Sequence, residues 1–174
     1  SFKMIADSVD KPCILYNVPS RTGCNILPAT AARLADVDNI VGIKEASGDI
    51  SQIAELARVC GDKLDIYSGN DNQIVPILSL GGKGVISVLS NVLPEKTNEI
   101  CTRFFEGDVK GALELQLHYL PLIDALFSEV NPIPIKAAMS AMGLGENSLR
   151  LPLTPMSEGK AAHLYELMKS EGLI

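Results

Sequence analysis

The chain has 174 residues, 47% of them hydrophobic and 21% charged, with 15 Lys and Arg against 21 Asp and Glu. A formal charge of −6 excludes the basic surface that nucleic-acid phosphates demand, and no apolar run approaches the roughly 18 residues of a membrane span. Four cysteines, Cys13, Cys24, Cys60 and Cys101, contain no CxxC pair, which fits neither a zinc site nor a disulfide scaffold and points to a reducing, cytoplasmic setting.

The sequence opens without an initiator Met, and Phe2, Ile5, Ala6 and Val9 recur at helical spacing. The expectation is a chain that begins inside a helix, as the C-terminal portion of a longer one. Four short apolar runs then read as strands, at 13–16, 40–43, 64–67 and 84–88. They lack clean alternation, as strands of parallel sheets do. Helical patterns lie between them. The pattern at 28–35 has Pro near its start. That at 49–59 sets Ile53, Leu56 and Ala57 on one face and is closed by Gly61, and that at 71–80 sets Ile74, Ile77 and Leu78 in register. This is the βα repeat of a parallel α/β protein.

Strand spacing falls from about 27 to about 20 residues, which suits a (β/α) barrel and equally a doubly wound sheet. No GxGxxG or GxxxxGK[ST] follows a strand, so nucleotide-binding versions lose support. Gly81-Gly82-Lys83-Gly84 precedes a strand, and reads as a tight helix-to-strand turn. After residue 88 only helices are expected. They lie at 93–105, at 108–127 with Leu113, Leu117, Leu120 and Ile123 as its apolar stripe, at 132–142, and from a Thr154-Pro155 cap to Lys169. The pattern divides into a barrel-type segment, 1–107, and a helical domain, 108–174.

In a βα protein the chemistry gathers at the C-terminal strand ends. There the sequence places Tyr16 to Gly23, Lys44 to Asp49, Ser68-Gly69-Asn70-Asp71 and Ser87 to Asn91, all rich in polar and small residues. Lys44, directly after Ile40-Val41-Gly42-Ile43, is the sharpest. An ammonium drawn into a poorly solvated mouth loses its proton more readily, and the free amine can attack a carbonyl. A lysine snorkelling outward or paired with Glu45 is the structural alternative. Tyr16 offers a phenol to carry a proton, Arg21 a planar fork for a carboxylate, and Gly69 room for a substrate. His118 and His163 sit on helices without spaced partners, so no metal site and no Ser-His or Cys-His scheme is assigned.

Tyr16-Asn17-Val18-Pro19-Ser20-Arg21-Thr22-Gly23 and Gly42-Ile43-Lys44-Glu45-Ala46-Ser47-Gly48-Asp49 resemble the two signatures of the dihydrodipicolinate synthase family. The similarity continues through Tyr67-Ser68-Gly69-Asn70-Asp71, the run from Gly82 to Val88, and Asn131-Pro132-Ile133-Pro134-Ile135-Lys136. It implies the second half of a (β/α)8 TIM barrel followed by a C-terminal helical extension. It also implies a class I aldolase-type lyase in which Lys44 forms an imine with pyruvate and the derived enamine attacks aspartate semialdehyde. By the same resemblance Tyr16 is the proton-relay tyrosine, Arg21 receives the carboxylate of the aldehyde substrate, the backbone carbonyl of Ile86 faces pyruvate, and Gly69 lies in the pocket wall. No metal or organic cofactor is implied, and the family forms dimers and tetramers. Two partners of the relay tyrosine, a threonine from an early strand and a tyrosine from a neighbouring subunit, belong to a half absent from this sequence. A non-catalytic half-barrel that only folds and self-associates is therefore the first alternative. A sialic acid (N-acetylneuraminate) lyase-like aldolase is the second, disfavoured by the Ser20-Arg21-Thr22-Gly23 run.

Overall fold

The computed structural model describes residues 2–174, which form two compact units, one up to Ile86 and one from Ser87 to Ile174. The first unit alternates helix and strand: α1 (Phe2–Ala6), β1 (Cys13–Asn17), α2 (Pro19–Thr22), α3 (Pro28–Leu34), β2 (Ile40–Glu45), α4 (Ile50–Cys60), β3 (Asp65–Ser68), α5 (Ile74–Ser79) and β4 (Gly84–Val85). The strands lie side by side in chain order, each pair parallel. Sequential parallel strands joined by helices are the arrangement of half a (β/α)8 barrel.

Strand alternation divides the sheet into two unlike faces. Leu15, Ile43 and Ile66 stand opposite one another across β1, β2 and β3, and all three are buried in one core with Ala31 of α3, Ile53 and Leu56 of α4, and Ile77 of α5. This is the helix-covered face. The other face is open on β1, where Ile14 and Tyr16 are 49% and 45% exposed. Helix α4 starts where Asp49 accepts a hydrogen bond from the Gln52 amide, at 3.0 Å, the cap expected of an Asp before an apolar-periodic run.

In the second unit a short 3-10 turn, Leu89–Asn91, leads into α6 (Pro94–Phe105), α7 (Val109–Leu126), α8 (Ile133–Ala141) and α9 (Glu158–Ser170). Its core gathers Leu122, Ile123 and Leu126 of α7, Ala138 of α8, and Leu164 and Met168 of α9. Among the described residues no helix is long and apolar enough to cross a membrane.

The structure departs from the sequence expectations at five places. The run at 84–88 gives a strand of only two residues: beyond Val85 the Ile86 amide still donates to Ser68 O, but Ser87 then bonds the Ser90 amide and turns the chain. The segment 71–80 divides into a 3-10 turn at Asp71–Gln73 and α5. Residues 19–22, within the polar stretch after the first strand where no helical pattern is read, form one helical turn with Pro at its start. Helix α9 begins at Glu158 after Ser157, past the expected Thr154-Pro155 cap. Finally, the stripe on α7 is only in part its core face: Ile123 is buried and Leu120 half-buried, but Leu113 and Leu117 are 41% and 53% exposed, while Ala112, Gln116 and Tyr119 are buried instead. Helix α7 carries apolar residues around much of its circumference, so spacing alone offers more than one face, and the packing with α6 and α9 selects among them.

The two sheet faces predict unequal mutational costs. Ile43→Ala, at a fully buried position, is expected to cost about 2–5 kcal/mol. Ile14→Ala, half exposed on the other face, is expected to cost less than about 1 kcal/mol. Urea midpoints of the two variants against the parent chain check the difference.

Candidate active site

The strand register brings the sequence-predicted residues together. Tyr16 of β1 stands opposite Lys44 of β2, and Lys44 opposite Tyr67 of β3. The Lys44 Nζ lies 4.3 Å from the centroid of the Tyr16 ring, within the range where an ammonium is attracted to an aromatic face. Lys44 is half-buried, the next-to-last residue of β2. It does not pair with Glu45, whose side chain is fully buried on the opposite face of the sheet and engaged there.

Gly69 closes the group from the side of β3. Its amide donates to Glu45 O at 2.8 Å. A Cβ at this position would lie 2.6 Å from Ala46 Cβ, 3.1 Å from Glu45 O and 3.2 Å from Lys44 Cε. Only a residue without a side chain lets the backbone pass so near the lysine stem. Arg21 is exposed on α2, the turn that follows β1. That turn ends at Gly23, which has φ of 67° and donates its amide to Pro19 O, so the left-handed residue lets the chain leave the strand end sharply. Ile86 follows β4, 40% exposed. The close group is thus Lys44, Tyr16 and Gly69, with Arg21 and Ile86 along the same C-terminal edge of the sheet.

Beneath this row lies a set of polar residues that the sequence analysis did not single out. Asn17, Glu45 and Ser68 stand opposite one another, one residue beyond Tyr16, Lys44 and Tyr67, and are fully buried. Asn17 Nδ2 donates to both Glu45 carboxyl oxygens at 3.1 Å and to Asn25 Oδ1 at 2.9 Å. Its Oδ1 accepts the Ile26 amide at 2.9 Å. The Ser47 amide donates to Glu45 Oε1 at 2.7 Å. Asn25 and Gln52, on the first turn of α4, exchange amide hydrogen bonds of 2.7 and 3.1 Å. The signal in the sequence is a polar residue directly after Tyr16 and another directly after Lys44, but only the register shows that these two meet.

Chemically, the edge offers an amine held by its stem between an aromatic ring and a glycine backbone. Such an amine can add to an electrophilic carbon, and a phenol beside it can carry a proton. Among the described residues no group of His, Cys, Asp and Glu is placed to hold a metal ion.

The sequence model of the Dihydrodipicolinate synthetase family matches residues 1–171. A 4-hydroxy-tetrahydrodipicolinate synthase of Lachnoclostridium phytofermentans is 61% identical over 99% of this chain and 59% of its own length. The crystal structure of a dihydrodipicolinate synthase from Thermotoga maritima superposes with a TM-score of 0.97 at 45% identity, over 99% of this chain and 60% of that one. A chloride-inhibited dihydrodipicolinate synthase from Acinetobacter baumannii, complexed with pyruvate, gives a TM-score of 0.95 at 41% identity, again over 99% and 60%. The chain therefore spans about three-fifths of the length of the relatives it matches.

Gly69→Ala tests how tightly the lysine stem is confined. The added methyl group collides with Ala46 and presses on Lys44, and overpacking of this kind is expected to cost about 1–3 kcal/mol. Adding Ala46→Gly removes the shortest of the three contacts and should restore part of that loss. Denaturant titration of the single and double variants checks both outcomes.

Proposed function

Because this chain belongs to the dihydrodipicolinate synthetase family, we propose that it carries the Schiff-base half of an enzyme that condenses pyruvate with L-aspartate 4-semialdehyde, giving 4-hydroxy-tetrahydrodipicolinate for lysine and diaminopimelate synthesis. The observation that carries this reading is the Lys44 amine held 4.3 Å over the Tyr16 ring at the C-terminal edge of a parallel sheet.

The steps follow from the groups present. Lys44 Nζ adds to the ketone carbon of pyruvate, and loss of water leaves an imine. The positive nitrogen draws electrons from the adjacent methyl group, which gives up a proton and becomes the nucleophilic end of an enamine. That carbon forms a bond to the aldehyde carbon of the second substrate, whose oxygen takes up a proton. The substrate's own amine then attacks the imine carbon, closes the ring and releases Lys44. Tyr16 carries protons to and from these positions, Arg21 receives the carboxylate of the aldehyde substrate, the Ile86 carbonyl faces bound pyruvate, and Gly69 keeps the pocket wall thin. The lysine itself is the electron sink, so no cofactor is assigned. We place this chemistry in the cytoplasm and in a homo-oligomer, a dimer or tetramer.

Incubation with pyruvate followed by borohydride reduction tests the reading. The expected result is a reduced pyruvyl adduct confined to Lys44, found by peptide mass mapping, and absent in Lys44→Met. Tyr16→Phe should slow trapping by about 10²-fold or more, the scale of a lost proton-transfer group. An adduct on another lysine, or none on Lys44, would refute the assignment.

A further inference from the structure

We propose that Glu45 and Asn17 are positioning residues for the chemistry of Lys44, an inference that rests on the Schiff-base role proposed above. The two residues are neighbours in register, each directly follows a residue of the close group, and each is fully buried. Stability alone does not call for them: well-packed apolar side chains at a buried charged or polar pair are commonly as stable or more so. The row two residues earlier on the same face, Leu15, Ile43 and Ile66, is apolar and packs into the helix-covered core.

What the polar pair adds is directional. The Asn17 carbonyl accepts the Ala46 amide at 2.9 Å and the Glu45 carbonyl accepts the Gly69 amide at 2.8 Å, so the main chain already ties the three strand ends together. The side chains double the first of these ties, the one between β1 and β2. One Asn17 amide group bridges the Glu45 carboxyl and Asn25, its oxygen holds the Ile26 amide, and the carboxyl holds the Ser47 amide. The segment between α2 and α3 and the turn after β2 thus meet at this buried pair, and the first turn of α4 is joined to it through Asn25. A slip or tilt of β1 against β2 would break these bonds together, and it is that relation which sets the Lys44 amine over the Tyr16 ring. Glu45 acts through geometry, not as a counter-ion, because its hydrogen bonds come from the neutral Asn17 side chain and the Ser47 backbone and it lies on the face away from Lys44.

The pairing also has a defined polarity, which makes it testable by exchange. Both carboxyl oxygens accept from Asn17 Nδ2, so Glu45→Gln sets a second N–H donor against it, and Asn17→Asp sets two carboxylates together. The double variant Asn17→Asp, Glu45→Gln restores donor against acceptor once the Asn25 and Gln52 amides turn over. At saturating pyruvate each single variant should form the borohydride-trapped adduct on Lys44 at least about tenfold more slowly, as sub-ångström misplacement of a reacting group does. The pyruvate concentration for half-maximal trapping should move by less than about threefold, since the loss falls on the step and not on binding. The double variant should recover most of the parental rate. Single variants that trap at the parental rate, or a double variant no faster than the slower single, would overturn the proposal. If a single variant fails to fold, the double variant decides alone, its recovery supporting the proposal and a slow rate overturning it. If the parent chain forms no adduct at all, the Schiff-base reading falls and the clamp is judged by amide exchange at Ala46, Ser47 and Gly69. Exchange faster in the singles and restored in the double supports the clamp, and unchanged protection overturns it.

Discussion

A β-strand can send only every second side chain to the same face, and the candidate site depends on how this chain meets that constraint. To set Lys44 beside Tyr16 on one face, β2 and β1 must bury Glu45 and Asn17 on the other. To bury Leu15 and Ile43 in the helix-covered core, they must turn the residues on either side outward. The apolar row, the row of Tyr16 and Lys44, and the polar row are consecutive levels of one sheet. None of the three can be moved by one residue without exchanging the faces of all of them.

The energetic consequence is an alternation of unlike environments within a few ångströms. Each core side chain of the Leu15, Ile43 and Ile66 row contributes roughly 1.5–3 kcal/mol by leaving water. A buried carboxyl two residues further on along the same face would cost several kcal/mol if left unpartnered. The Asn17 side chain and the Ser47 amide supply its partners, so the apolar core and the polar clamp support the same register. Gly69 adds a steric condition to this electrostatic one, because the backbone of the third strand end passes too close to Ala46 and Lys44 to carry a side chain.

The close group of Lys44, Tyr16 and Gly69 belongs to the first unit. Family likeness nevertheless extends through both units, to residue 171. The helices of the second unit follow ordinary packing rules, with one instructive exception in α7. There Leu113 and Leu117 keep helical spacing but remain exposed, while a polar residue of the buried face, Gln116, lies inside. Apolar periodicity identifies a helix more securely than it identifies which side of the helix is covered.

The residues alone were enough to establish the alternation of strands and helices and the polar strand ends, and to mark Lys44 and Tyr16 as candidates among them. They could do so because apolar runs, glycine and proline punctuation, and polar residues at strand ends are local signals. The extent of β4 and the start of α9 were not legible, because strand length depends on a pairing partner and helix starts depend on which of several caps the fold uses. The clamp of Asn17 and Glu45 was not legible either. Each looks in sequence like one more polar residue at a strand end. Only the parallel register, which joins residues 28 positions apart, turns the two into a buried pair and decides which way the lysine beside them faces.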